Sequence, residues 1–262
     1  MEQVYATDYV TVSRQGRIAV LTLDREEKRN AVCDGLIRDI RAFVDDLDPQ
    51  VTSAIVMRGA GNHFCAGLDL AEHKDRPPFD SVLHSRFWHE TLDLLEFGPV
   101  PVVAAMQGGV IGGGLEIATA CHVRVSEPSA FYQLPEGRRG IYVGGGASVR
   151  VQRIIGADRM REMMLTGRRY DAEEGLRLGL GHYIEPAGTA FDKAMALADD
   201  IAGNAKISNY MMINALPRIA DMDRMAGSFT ENVASALSQT SEEARRGIEA
   251  FLNKQDIRFD KK

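Results

Sequence analysis

The sequence predicts an α/β fold, a sheet-containing core followed by a helical C-terminal region. Apolar runs of strand length recur in the first half, notably at 52–59 and 100–108. Each leads through a glycine-bearing loop toward a segment with helical spacing. From Ala157 onward almost every segment has helical spacing. Strands first and helices later is the pattern of such a core. The chain's 262 residues, 45% of them hydrophobic, suffice for one large core and at most a small appended unit.

The elements follow in order. YVTVSRQGRIAVLTLDR reads as two strands around a turn at Gln15-Gly16. GLIRDIRAFVDDL places apolar residues at 36, 37, 40, 43, 44 and 47, the stripe of an amphipathic helix. TSAIVMRG is a buried strand, and AGNHFCAGLDL a loop that opens a short helix. EHKDRPPFD, with Pro77-Pro78, reads as a polar loop, and SVLHSRFWHETLDLLEF as a helix. VPVVAAMQG is a strand that runs into GVIGGGLEIATAC, glycines opening a helix. HVRVSEPSAFYQLPEG predicts two short strands around a turn, and GGGASVRVQRIIG the start of another helix. Helical segments then cover ADRMREMMLTG, AEEGLRLGL, the regions 189–203 and 206–215, and a long stretch from 220 to 253. Residues 1–200 are expected to form the core and 201–262 the helical C-terminal region.

Composition removes several function classes. The net charge of -6 and the absence of a long basic block argue against a general nucleic-acid binder. Cys33, Cys65 and Cys121 are widely spaced and form no CxxC pair, which argues against a zinc site or a disulfide framework. No signal peptide is visible at MEQVYATDYV, and no apolar run approaches the ~18 residues of a membrane span. A cytoplasmic protein with no membrane partner is the expectation.

Chemistry concentrates at the two glycine-bearing loops. Each follows a strand and precedes a helix, where the first N–H groups have no intrahelical partner. Such N–H groups hold anions, or an oxygen that becomes negative in a transition state. Glu116 lies on the first turn after Gly112-Gly113-Gly114, and Glu136 follows in LPEGRRG. Two carboxyl groups facing one water are suited to general acid–base work. Spacing alone does not bring them together. Taken singly, Glu116 reads as an N-terminal helix charge and Glu136 as a turn residue.

F-C-A-G-L-D (64–69), G-G-G-L-E (112–116) and L-P-E-G-x-x-G (134–140), in that order, resemble the crotonase superfamily, in its enoyl-CoA hydratase branch. The resemblance covers nearly the whole chain, including REEKRNAV (25–32) and the closing RRGIEAFLNK. It implies a spiral of ββα units with a helical trimerisation region, assembled as a homotrimer or homohexamer. It implies an oxyanion hole from the backbone N–H groups of Leu68 and Gly113, and catalysis by Glu116 and Glu136. The substrate is then an acyl-CoA, with coenzyme A as part of it, no separate cofactor and no metal. Lys28, Arg29, Ala66 and Leu70 match coenzyme A contacts. Phe251 and Lys254 match an aromatic and a lysine that reach the coenzyme A of a neighbouring subunit.

The implied reaction is reversible addition of water to a 2-enoyl-CoA. Glu116 is assigned as the base for water, because a helix start favours its ionised form, and Glu136 as the proton donor. The sequence departs from the family at Glu26, where proline is common. It departs again after Glu136, where Arg138, Arg139, Tyr142 and Val143 replace a more apolar stretch and a proline. That segment keeps open a thioester hydrolase, or a bifunctional hydratase–hydrolase on a short heteroatom-bearing enoyl-CoA. A non-catalytic CoA- or RNA-binding homologue is the remaining class. His73, His84, Trp88 and His89 are candidates for the acyl end of the site, but a solvated-loop or helix-packing role is the favoured reading of each.

Overall fold

The computed structural model describes residues 1–260. Strands β1 (Glu2–Ala6), β2 (Val10–Gln15) and β3 (Ile18–Leu23) form an antiparallel meander. A 3-10 turn (Glu26–Lys28) leads to α1 (Asp34–Asp45). Then come β4 (Ala54–Gly59), α2 (Leu70–His73), α3 (Pro78–Glu96), β5 (Val102–Met106), β6 (Gly109–Ile111) and α4 (Gly113–Ala120). β7 (Val123–Ser126) and β8 (Phe131–Gln133) precede α5 (Ala147–Ile155), α6 (Ala157–Thr166), β9 (Tyr170–Asp171) and α7 (Ala172–Leu178). The chain closes with β10 (Tyr183–Ile184), α8 (Ala190–Ala202), α9 (Lys206–Ile219), α10 (Arg224–Gln239) and α11 (Glu242–Leu252).

The larger sheet has the order β1-β2-β3-β4-β5-β7-β10, parallel from β3 onward. Alternation along its strands sorts side chains into two cores. Ile55 and Met57 of β4, with Val102, Ala104 and Met106 of β5, point to the side of α1, α3 and α4. Val56, Val103 and Ala105 point to the other face, where Ala190, Ala194 and Ala198 of α8 pack. Alanine at every fourth position lets α8 lie close against the sheet. Burial on both faces explains why these strands read as continuous apolar runs.

A second sheet has the order β6-β8-β9. The two short strands expected within 122–137 both form, as β7 and β8, but they do not pair with each other. β7 has both edges occupied, by β5 and β10, so the chain passes on and β8 pairs with β6 and β9 instead. The polar loop expected over 72–80 is shorter than read. Pro78 is the first residue of α3, where its missing N–H costs nothing. The long helix expected from 220 to 253 is two helices. Ser241 breaks it by capping the Ala244 N–H at 3.0 Å. Among the described residues, no helix is long and apolar enough to cross a membrane.

Candidate active site

The loop after β4 is held from below by Asn30, which is fully buried. Its Nδ2 donates to Ala60 O at 2.9 Å and His63 O at 2.8 Å, while its Oδ1 accepts from Arg25 N at 3.0 Å. The same loop is stitched to β6, with Cys65 N donating to Gly109 O at 3.0 Å and Ile111 N to Cys65 O at 3.1 Å. These bonds bring the two glycine-bearing loops together. A Cβ built on Gly113 would lie 3.6 Å from Leu68 N. The neighbours of Leu68 are committed elsewhere, Val32 N donating to Gly67 O and Asp69 N to Val32 O. The Leu68 N–H makes no such bond, and Gly113, the first residue of α4, has no intrahelical acceptor for its own N–H. The expected pair of donors therefore stands side by side.

Both glutamates reach the cavity beneath these donors, a space of about 590 Å³. Glu116 is 3% exposed. Its Oε1 accepts from Gly145 N at 2.7 Å and Ala147 N at 3.1 Å. Burial raises its pKa, and those two N–H groups work in the opposite direction. The expected support from its own helix start is thus corrected. Glu116 is the fourth residue of α4, and its charge is met by N–H groups at the start of α5. Gly145 is fixed in turn by Arg150, whose Nη1 donates to its carbonyl at 3.1 Å and whose guanidinium pairs with Asp93 and Glu96. No side chain fits at Gly145, since a Cβ there would lie 2.5 Å from Glu116 Oε2.

Glu136 opens a 3-10 turn, Glu136–Arg139, and is 7% exposed. Its Oε2 is buried without a hydrogen-bond partner. Desolvation first, and the Glu116 charge as a smaller contribution, push its pKa up to about 7. Gly112, at φ 50°, leaves room for it, because a Cβ there would lie 2.9 Å from Glu136 Oε1.

Arg29, Ala66 and Leu70 line the cavity, as do Arg138, Arg139, Tyr142 and Val143. Lys28 is exposed in the preceding 3-10 turn and does not line it. Phe251 (81% exposed) and Lys254 lie on and just after α11, outside this cavity. His89 does not line it either, although its charge acts on Glu116. Sequence reading offered His84 and Trp88 for the acyl end but favoured a packing role for them, and it did not single out Ser81 or Ser85. Ser81, His84, Ser85 and Trp88 all line the cavity, at helical positions i, i+3, i+4 and i+7. That stripe was the available signal. Trp88 packs between Gly113 and Gly145, and Ser85 Oγ donates to Gly144 O at 2.6 Å. Beside it, Asp34, His73 and His84 bring three ligand atoms within 4.8 Å of one another, a set capable of holding a cation.

Comparison with known proteins shows the family. Residues 13–262 match the family model described as enoyl-CoA hydratase/isomerase. The enoyl-CoA hydratase EchA19 of Mycobacterium tuberculosis is 30% identical over 253 residues, 95% of each chain. The short-chain-enoyl-CoA hydratase of Clostridium acetobutylicum is 27% identical, over 95% of this chain and 96% of the relative. A crystal structure from Rhodopseudomonas palustris, provisionally named an enoyl-CoA hydratase, superimposes with a TM-score of 0.91. It is 43% identical over 95% of this chain and 98% of its own.

Proposed function

Because the chain belongs to the enoyl-CoA hydratase/isomerase family of the crotonase superfamily, we propose that it adds water reversibly across the C2=C3 bond of a 2-enoyl-CoA. One observation carries this reading. Two buried carboxyl groups with different hydrogen bonding face one cavity, beneath two uncommitted backbone N–H groups.

The thioester oxygen sits between the N–H groups of Leu68 and Gly113. Glu116, ionised and supported by the Gly145 and Ala147 N–H groups, takes a proton from water. The water oxygen bonds to C3 as the π electrons move through C2 toward the thioester oxygen. The two N–H groups stabilise the resulting enolate, each typically contributing ~2.7–4 kcal/mol. Glu136, poised as an acid by burial, delivers its proton to C2. Glu116 ends protonated and Glu136 ionised, and proton exchange with water resets both. The scheme needs no resident cofactor, since coenzyme A arrives on the substrate.

Arg29, Ala66 and Leu70 are placed to meet the coenzyme A portion. Ala66 N already donates to Arg29 O, which leaves the Ala66 carbonyl to accept from the adenine amino group. Phe251 and Lys254 serve the coenzyme A of a neighbouring subunit in a homotrimer or homohexamer. The exposed apolar side chains of α9–α11, among them Leu216, Met225, Phe229 and Ile248, support that assembly. Light scattering at a mass of three or six chains is the expected result, and a monomer would count against it.

The test is a paired assay on crotonyl-CoA, following loss of the conjugated enoyl-thioester absorbance and release of free thiol in one sample. Absorbance loss without thiol, abolished in Glu116→Gln and Glu136→Gln, is expected. Stoichiometric thiol release would replace this reading with thioester hydrolysis.

A further inference from the structure

A second polar cluster borders the same cavity, with His73 and His84 lining it and Asp34 of α1 standing behind them. His84 Nε2 lies 2.8 Å from Asp34 Oδ1, and His73 Nε2 lies 4.0 Å from it. Trp88 Nε1–H donates to His84 Nε2 at 3.0 Å, so that nitrogen acts as an acceptor and the His84 proton sits on Nδ1. Asp34 Oδ1 therefore faces a lone pair. It and His73 Nε2 are both buried without a hydrogen-bond partner. The cluster is short of one proton donor, and buried polar atoms in that condition are costly.

Charge narrows what fits there. Burial favours neutral Asp34, but the hydrogen bond from Arg76 and nearby positive charge outweigh it and hold the carboxyl below its usual range. An anionic group is repelled by Asp34 Oδ1. A cationic group meets the Arg76 guanidinium, 2.8 Å from Asp34 Oδ2. A metal ion on the three ligand atoms faces the same guanidinium and has to displace the Trp88 N–H from His84. His73 and His84 are both held toward their neutral forms by burial and by Arg76. A neutral hydroxyl fits. One oxygen at a normal hydrogen-bond distance of about 2.8 Å from each atom spans the His73–Asp34 gap. It donates to Asp34 Oδ1 and, with a donor and two lone pairs, suits either tautomer of His73.

Position ties the cluster to the reaction. Cβ atoms built on Gly113 and Gly145 would lie 2.9 Å and 2.7 Å from carbons of the Trp88 six-membered ring, and that on Gly145 also meets Glu116. The indole N–H reaches His84. One indole thus separates the proposed reaction centre from the cluster, and an acyl chain leaving C3 along Trp88 arrives at His73 and His84. We propose that Asp34, His73 and His84 recognise a hydroxyl group at the end of the acyl chain, making the substrate a hydroxyl-bearing 2-enoyl thioester. This rests on the hydratase reading above.

The experiment compares hydration of 2-enoyl-CoA thioesters of increasing length, each made with a terminal hydroxyl and with a terminal methyl. At one length the hydroxyl compound is expected to exceed its methyl partner in kcat/KM by about 100-fold, the upper scale of the cost of leaving one buried polar group unpaired. His73→Phe and Asp34→Ala, made separately so that one misfolded variant does not decide the matter, are expected to reduce that ratio below about 5-fold. Hydration with no preference at any length, or a preference that survives both substitutions, overturns the inference alone. Stoichiometric zinc retained by the wild type and lost in His73→Phe overturns it in favour of a metal site. If no thioester of either series is hydrated, crotonyl-CoA included, the hydratase reading fails and this inference with it.

Discussion

Glu116 and Glu136 reach one cavity from two differently built walls. The α4–α5 wall surrounds Glu116 with donors, the Gly145 and Ala147 N–H groups, and braces them with Arg150. The wall after β8 gives Glu136 a buried Oε2 with no partner. Burial raises both carboxyl groups, but Glu116 is met by the N–H groups of two other residues, whereas Glu136 has only its own backbone N–H to favour the ionised form. The contrast teaches that two identical side chains are given different proton affinities by the N–H groups aimed at them, which is what the proposed division into base and acid requires.

The largest expected effect comes from removing either acid. Glu116→Gln and Glu136→Gln should each lower kcat for crotonyl-CoA hydration by about 10²–10⁴-fold. A variant that keeps full rate breaks the pairing. The pH profile sharpens the comparison next. With the Glu136 pKa near 7, its protonated form is lost as pH rises through that value. If Glu136 is the acid, hydration kcat/KM falls about tenfold per pH unit above it. A limb that rises with pH there exchanges the roles.

Gly112→Ala pushes a methyl toward Glu136 Oε1 at a positive φ. A loss of about tenfold in kcat is expected, on the scale at which small misplacements act. The smallest effect is on stability. A carboxyl raised from 4.5 to about 7 destabilises the fold progressively as pH climbs between those values, on the order of 3 kcal/mol in full above them. Glu136→Gln should therefore raise the melting temperature by several degrees at pH about 8 and change it little at about 5. Equal shifts at both values would mean that Glu136 is not held protonated.

The long apolar strands and amphipathic α1 were legible because burial writes a period into the sequence. The strands β6, β9 and β10 were not, since two or three residues carry no period. β1 was missed as well, its burial being low throughout. The glycine loops and both acids were readable as types, while their meeting was readable only through family resemblance. The Asp34–His73–His84 cluster was invisible in a different way. Its members lie on three helices, and each alone resembles an ordinary polar residue. The source of Glu116's hydrogen bonds was misread because proximity in sequence favoured its own helix over α5, some thirty residues later.

The short parallel pairing of β6 with β8 acts as a ruler. Ile111 is in register with Gln133, and Gly112 N donates to Gln133 O at 2.9 Å. Both strands run the same way, and past their last pair Gly113 lies two residues on from Ile111 and Glu136 three on from Gln133. A single residue inserted within either strand slides one reactive group past the other by about 3.3 Å and reverses the facing of the side chains that follow. Length is therefore tightly constrained from 109 to 113 and from 131 to 136. The turn at 127–130 lies outside the ladder, so an insertion there is expected to leave the proposed oxyanion donor and the proposed acid in alignment.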